Sequence, residues 1–386
     1  MKNYRSLTTT IKPMDNTMTQ VEKETTLYLG PQHPGITGNM MIELKVTGDT
    51  VQRAKTHVGY LHRGFEKLME ERLWMQCFPI VCRICVPEPD PNEENLARAI
   101  EEIEGREVPE RAQYIRVMVL ELSRIASYFL WMGGQAGSMG LYTMPQWTVG
   151  DRDYILDLFE ELTGGRVYHM YIWAGGVRRD LPDGFAGRVR RVLDYLEERL
   201  TDYDRLFFQN ALFLKRSQGV GVIDKDKAME WGVVGPPLRG CGIAHDVRKD
   251  EPYEVYDKLD FEIITHEGGD IYARAMVRRR EIEQSISIIR QVLDKMPGGP
   301  VHNPGPNPLK WKLPAGEAYV RTESARGEFG YYVVSDGSLK PRRIHVRGPA
   351  YVHGVSLLEK MLVGANIADV SVIMNSLGTC PPEIER

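Results

Sequence analysis

Cysteine is scarce in this chain, with five among 386 residues: Cys77, Cys82, Cys85, Cys241 and Cys380. A small, odd set in an intracellular context argues against a disulfide framework and for thiols that are free or that bind metal. A long apolar run is missing too. The best stretch, Ile115 to Trp131, is interrupted by Glu121 and Arg124, short of the roughly 18 uncharged residues a membrane-spanning helix needs. The polar start lacks the apolar core of a signal peptide, so the chain is expected to stay inside the cell. Positive charge is not in excess: Lys and Arg total 49 against 53 Asp and Glu, a net charge of −4. That excludes a general nucleic-acid binder. Gly133-Gly134-Gln135-Ala136-Gly137 lacks the Gly-Lys-Ser/Thr ending of a phosphate loop. Dinucleotide fingerprints, zincin motifs, nucleophile elbows, internal repeats and low-complexity tracts are absent as well.

What is present reads as a globular α+β protein. Apolar residues make up 42% and charged residues 26% of the chain, close to the globular norm. Residues 1–25 read as a polar tail. Residues 26–75 read as a small antiparallel sheet, with a Gly/Pro-rich loop that holds His33. Residues 76–299 carry long amphipathic helices and read as a bundle. Asp90-Pro91 followed by Glu93 is a helix start in which the glutamate can close a capping box. A longer helix follows Pro109, with apolar residues from Ile115 to Phe129 at three- and four-residue steps. Others are expected over Tyr154–Leu162, after a cap at Asp183, and over Ile271–Met296. Residues 300–386 begin with a proline-rich loop. A hairpin follows, with Glu328–Ser335 and Arg342–Arg347 flanking Asp336-Gly337. Two short helices, near Ser356–Val363 and Ala368–Ser376, lead to the end of the chain.

The strongest chemical signal is Cys82-Arg83-Ile84-Cys85. Two thiolates at this spacing can grip one metal ion, because a turn brings both sulfurs to the same side. The alternative is a pair of small buried hydrophobes. Cys380 precedes Glu383 by three residues, so Cys82, Cys85, Cys380 and Glu383 together offer three soft sulfurs and one carboxylate to a borderline metal such as zinc. Cys77 and Cys241 have no partner at ligand spacing and read as core or surface thiols. His33 can be presented to a pocket by its rigid loop, or it is a solvated histidine. Glu66, beside His62-Arg63, reads as an acid or as half of an exposed ion pair. Arg326-Gly327 precedes a strand and alone means little. Arg178-Arg179 and Arg278–Arg280 read as solvated helix faces or interface charges.

These motifs resemble a known family: the large subunits of energy-converting nickel–iron hydrogenases and the related 49-kDa subunit of respiratory complex I. Gly30-Pro31-Gln32-His33-Pro34 is similar to the complex I loop, and Leu61-His62-Arg63-Gly64-Phe65-Glu66-Lys67-Leu68 to a stretch shared by both branches. Val108-Pro109-Glu110-Arg111-Ala112-Gln113-Tyr114-Ile115-Arg116 resembles the hydrogenase helix after the first cysteine pair, and Arg326-Gly327-Glu328 the arginine–glycine turn beside the active site. The hydrogenases carry Cys-x-x-Cys at both ends. By the resemblance, Cys82 and Cys380 stand at terminal nickel-ligand positions, Cys85 at a bridging position, and Glu383 where the second bridging thiolate is lost. A carboxylate is a poor substitute for a thiolate bridging low-valent iron. In place of the tyrosine that complex I subunits carry near here, Val86-Pro87 follows Cys85.

Three cysteines, one glutamate and a complex I-like loop are most similar to the large subunits of archaeal membrane-bound sulfane reductases. This resemblance implies reduction of polysulfide by electrons from ferredoxin, coupled to ion translocation. It implies an iron–sulfur small subunit holding the proximal [4Fe–4S] cluster, other hydrophilic subunits, and antiporter-like and quinone-site-like membrane subunits. The chain would lie peripherally on the cytoplasmic face of the membrane. Arg83, Arg326 and His33 are expected to attract the anion, the cysteines to exchange sulfur, and Glu383 or Glu66 to pass protons. The alternatives are a quinone reductase subunit, a residual hydrogenase, and a coupling subunit whose four ligands hold a structural metal.

Overall fold

The computed structural model describes residues 24–36 and 38–386. The expected tail over residues 1–25 therefore lies almost entirely outside the described residues. β1 (Thr25–Leu29), β2 (Met41–Thr47) and β3 (Thr50–His57) form an antiparallel meander in that order. Ile42, Leu44 and Val46 of β2 turn inward in strict alternation, as expected for a sheet with one buried face. Two short helices, α1 (Phe65–Glu70) and α2 (Trp74–Val81), lead to the first cysteine pair.

The bundle consists of α3 (Asp90–Glu104), α4 (Glu110–Ser138), α5 (Thr143–Thr163), α6 (Phe185–Tyr203) and α7 (Ile271–Lys295). A two-strand ribbon, β4 (Ile172–Trp173) and β5 (Gly176–Val177), precedes α6. Short helical turns fill the span between α6 and α7. The 29 residues of α4 make a rod roughly 43 Å long, with α5 and α7 packed against it. On α6, Val189, Leu193, Leu196 and Leu200 form the buried stripe that the sequence periodicity predicts. α5 starts 11 residues before the expected Tyr154, at Thr143. Its first turns are held by close approach to α4: a Cβ at Gly133 would stand 2.5 Å from Thr148 Oγ1. The helix after Asp183 starts on Gly184, and no side chain caps it.

The C-terminal sheet has three strands, β6 (Gly316–Ser324), β7 (Gly327–Ser335) and β8 (Arg343–Arg347), in that order. The expected hairpin is β7–β8. β6 is an additional partner, and it makes β7 a central, mostly buried strand. The predicted terminal helices form a broken helical stretch over residues 349–362 and α8 (Val370–Leu377), which packs on α4. A last turn, α9 (Pro381–Ile384), ends the chain.

Packing covers the polar residues of one helix and corrects two expectations. Most of α3 is buried, Asp90, Asn92, Glu93, Glu94 and Asn95 included, because it lies on β6 and β7 and bonds to them. Asn95 Nδ2 donates to Thr322 Oγ1 at 2.9 Å, and Tyr331 OH donates to Asn92 Oδ1 at 2.8 Å. Glu93 closes no capping box; its carboxylate accepts the backbone N–H groups of Met170, Tyr171 and Ile172 instead. Arg278 and Arg279 are not solvated: they are 1% and 5% exposed, whereas Arg178, Arg179 and Arg280 are exposed as expected.

Candidate functional site

α2 ends at Val81, and Cys82 to Ile84 form a turn that delivers Cys85 to the interior. From the other end, α8 stops at Gly378 in a left-handed conformation (φ 71°) and turns the chain so that Cys380 faces Cys85. The two Sγ atoms lie 3.9 Å apart across 295 residues of sequence. Glu383 completes the cluster: one ligand atom from each of Cys85, Cys380 and Glu383 falls within 4.8 Å of the others. Glu383 Oε1 accepts from the Ala350 N–H at 2.7 Å, while Oε2 has no partner. Its carboxylate lies against Gly348, where a Cβ would come within 2.4 Å of Oε1.

Arg326 supplies the positive charge. Its Nη1 is 3.4 Å from Cys85 Sγ and 3.6 Å from Glu88 Oε2. The turn that carries it is fixed on both sides. Glu88 accepts the Ala325 N–H with both oxygens, at 3.0 and 2.8 Å. Beneath it Gly235 and Gly327, both at positive φ, meet face to face, and a Cβ on Gly235 would sit 2.3 Å from Gly327 Cα. Only glycine permits that approach.

The environment splits the ionisable groups apart. A hydrogen bond from Cys85 lowers the Cys380 thiol to about 6 against the opposing effect of burial, with help from Arg326 and the backbone N–H groups of Glu383 and Val86. Cys85, donating that bond and fully buried, is pushed well above its ordinary value. The pair therefore holds one negative charge, on Cys380. Burial, and then the Cys380 charge, push the Glu383 carboxyl up to about 8. Burial raises Glu88 to about 7, with Arg124 and Arg326 opposing it.

Not every residue singled out by sequence comes to this point. Cys82 does not join the cluster. Its thiol faces the Pro79 carbonyl at 3.3 Å and the Arg83 Nη1 at 3.1 Å, and burial raises it to about 12. Arg83 stays on that side, its guanidinium 5.0 Å from the Tyr168 ring. His33 sits in an exposed loop, its Nδ1 accepting from the Gly35 N–H at 3.1 Å. Cys77 and Cys241 are core thiols.

Glu66 is a clasp for the C-terminus. It faces Arg343 Nη2 at 2.5 Å, His345 Nδ1 at 3.1 Å and Arg386 Nε at 3.3 Å. Nearby, the Leu61 N–H donates to Glu385, and His62 Nδ1 lies 2.7 Å from the Glu385 carbonyl. The motif Leu61–Glu66 thus secures the last residues and with them Cys380 and Glu383. Glu66→Gln is expected to loosen this clasp, so that the backbone amides of Glu385 and Arg386 exchange hydrogen several-fold faster than in the wild type. Equal exchange rates would show that Glu66 does not hold these residues.

Beside the cluster opens a cavity of about 260 Å³, its lining mostly apolar and including Val86, Trp131, Pro381, Arg278, Arg326 and Cys380. The sequence reading missed Glu88 and Arg278. The first had a signal in its position between two prolines just after Cys85. The second had none.

The donors present do not fit a nickel–iron centre. Only two sulfurs converge, the third turns to Pro79, and an oxygen stands at the remaining position.

Comparison with known proteins settles the family. The model for the "Respiratory-chain NADH dehydrogenase, 49 Kd subunit" matches residues 138–386. The chain belongs to this 49-kDa subunit family. The NADH-quinone oxidoreductase of Thermosipho melanesiensis has a subunit that is 48% identical over 94% of this chain and 100% of its own length. The F(420)H(2) dehydrogenase of Methanosarcina mazei has one that is 41% identical over 94% of this chain and 98% of its own. Among solved structures, a chain of the archaeal membrane-bound sulfane sulfur reductase, described as a respiratory membrane complex, superposes with a TM-score of 0.92. That chain is 48% identical, with 97% of this chain and 100% of that one covered. This 49-kDa-type chain has, among its described residues, no helix long and apolar enough to cross a membrane.

Proposed function

We propose that this 49-kDa-type subunit reduces sulfane sulfur at the Cys85–Cys380 pair. It would act within a membrane-attached respiratory complex, on the cytoplasmic face. The observation that carries the reading is the convergence of two thiols, 3.9 Å apart, with Glu383 at the third corner and a cavity beside them. The likeness to the sulfane sulfur reductase chain supports it. Electrons would come from reduced ferredoxin through the [4Fe–4S] cluster of an iron–sulfur partner, and membrane subunits would couple the reaction to ion movement.

In the first step the Cys380 thiolate attacks a sulfane sulfur, an S–S bond of the polysulfide breaks, and a shortened polysulfide leaves as the anion. Cys380 then carries a persulfide. Cys85 attacks its inner sulfur and expels hydrosulfide, its proton going to the leaving group or to a neighbouring carboxylate. This forms the Cys85–Cys380 disulfide, which requires the sulfurs to close from 3.9 Å to about 2.05 Å. Two electrons from ferredoxin and one proton restore the Cys85 thiol and the Cys380 thiolate. Glu383 supplies the proton to departing sulfur.

The form with Cys380 ionised and Glu383 protonated is populated between about 6 and about 8. kcat/KM for polysulfide is therefore expected to rise with a midpoint near 6 and fall with a midpoint near 8. Glu383→Gln keeps an acceptor for the Ala350 N–H and should abolish the falling limb while lowering the maximum. An unchanged profile in that variant would remove Glu383 from the reaction.

A quinone reductase is the second reading, favoured by 48% identity to a component of an NADH-quinone oxidoreductase. Offering quinone and polysulfide separately to the intact complex with reduced ferredoxin decides between them.

A further inference from the structure

α7 carries two fully buried guanidiniums, Arg274 and Arg278, and neither meets a carboxylate among the described residues. This is unusual within the molecule. Arg116, Arg239 and Arg248, buried to the same degree, each face two or more acids. A guanidinium removed from water without counter-charge is costly unless something else satisfies it. For Arg274 neutral acceptors do so: the Gly269 and Gly221 carbonyls and Ser376 Oγ occupy its donors.

Arg278 is different. Its Nη1 donates to the Arg274 and Ser376 carbonyls at 3.2 and 2.9 Å, but its Nη2 is buried with no partner. It lines the cavity beside Cys380 and lies over the Trp131 ring, 4.6 Å from the centroid. The acids nearest in effect, Tyr128 and Glu281, are bonded to each other, and Glu281 is bonded to Arg239. Burial lowers Arg278 to about 9, so it still carries charge at neutral pH. Gly378 clears the space in front of it. A Cβ there would stand 3.1 Å from Arg278 Nη2 and 3.7 Å from Arg326 Cγ, so any side chain would intrude between the two arginines. Arg326 Nε also lacks a partner.

We infer that Arg278 is the anion-recognition residue of the cavity. Its free Nη2 takes the charged end of an elongated anionic sulfur compound whose reacting sulfur lies against Cys380. The apolar walls accommodate the sulfur chain, and Trp131 holds the guanidinium in place. This assignment rests on the sulfur-handling reading and narrows its substrate to anions, with Arg278 taking the place expected for Arg83 and His33.

The test uses the intact complex with reduced ferredoxin and two substrates that differ in charge, the tetrasulfide dianion and uncharged dimethyl trisulfide. Arg278→Met keeps the packing against Trp131 and removes the donors. It should raise the KM for tetrasulfide roughly 10- to 100-fold, leave kcat within about twofold, and leave dimethyl trisulfide kinetics unchanged, with Arg278→Lys intermediate. An equal loss for both substrates would mark Arg278 as structural and overturn the inference. A second arm titrates thiosulfate into the complex by calorimetry. If the wild type reduces neither sulfur substrate, yet thiosulfate binding is present in it and lost in Arg278→Met, the anion subsite stands and the sulfur-reducing function fails. Thiosulfate binding unaltered by Arg278→Met would overturn the subsite itself.

Discussion

Cys380→Ala is expected to lower the ferredoxin-driven reduction of polysulfide by roughly 10³-fold or more, the scale on which removing a nucleophile acts. The substitution removes a single buried sulfur atom, so the folded state should lose only about 1 kcal/mol. Cys85→Ala should behave differently. The first attack remains possible, the resolving step does not, and Cys380 should accumulate one extra sulfur atom, visible by intact mass. Cys82→Ala should turn over near the wild-type rate, because its sulfur faces Pro79 and not the Cys85–Cys380 pair. This ordering of three cysteines is the discriminating result. A Cys380→Ala complex with wild-type turnover would leave the thiol mechanism without a nucleophile. A Cys82→Ala complex as inactive as Cys380→Ala would restore the three-sulfur metal site.

The largest effect on stability is expected at Arg116, 0% exposed on α4. Its guanidinium meets Glu101 at 2.5 Å, Glu254 at 3.0 Å and Glu94 at 3.8 Å, and also donates to the carbonyls of Trp173 and Gly176. It thereby joins α3, α4, the β4–β5 ribbon and the segment around Glu254. Burial pushes the Glu254 carboxyl up, but Arg116, a hydrogen bond with Glu94 and the Arg98 charge together outweigh it and leave it below its ordinary value. Arg116→Met leaves three acids around a neutral side chain, and breaking such a buried set costs about 3–5 kcal/mol. With the guanidinium gone, burial is no longer opposed by its charge at Glu94 and Glu254, and these two carboxyls sit above their unfolded values. The deficit is then smallest at acidic pH, where they are protonated in both states, and grows as pH rises. Thermal unfolding at pH 5.5 and 8 checks this: the variant should fall further below the wild type at pH 8. A deficit independent of pH would mean that lost packing, not unpaired charge, is the cause.

The two cases show where reading the sequence succeeds and where it stops. α4, α6 and α7 were legible because a long amphipathic helix repeats its apolar residues every three or four positions, and that period survives whatever packs against it. β7 and β8 were legible from alternation around Asp336-Gly337. β6 was not, because its partner β7 follows it through a tight turn holding Ala325 and Arg326, without an Asn-Gly or Asp-Gly signal between them. Glu93 of α3 and Arg278 and Arg279 of α7 were misread for one reason. A charged residue on a helix is solvated unless another element covers it with acceptors or counter-charges, and the covering element lies far away in sequence.

Sequence alone therefore determined the class of fold, the helical core and the inventory of chemistry: three cysteines and a glutamate split between the two ends of the chain. Only the tertiary structure decided which of them lie together. It placed Cys85 opposite Cys380, turned Cys82 away, gave Glu66 to the C-terminal clasp, and put Arg278 rather than Arg83 or His33 at the cavity. Spacing along the chain limits only where neighbouring residues point. The meeting of residues 295 positions apart is fixed by how α4, α7, α8 and the glycine-lined turn at Arg326 pack.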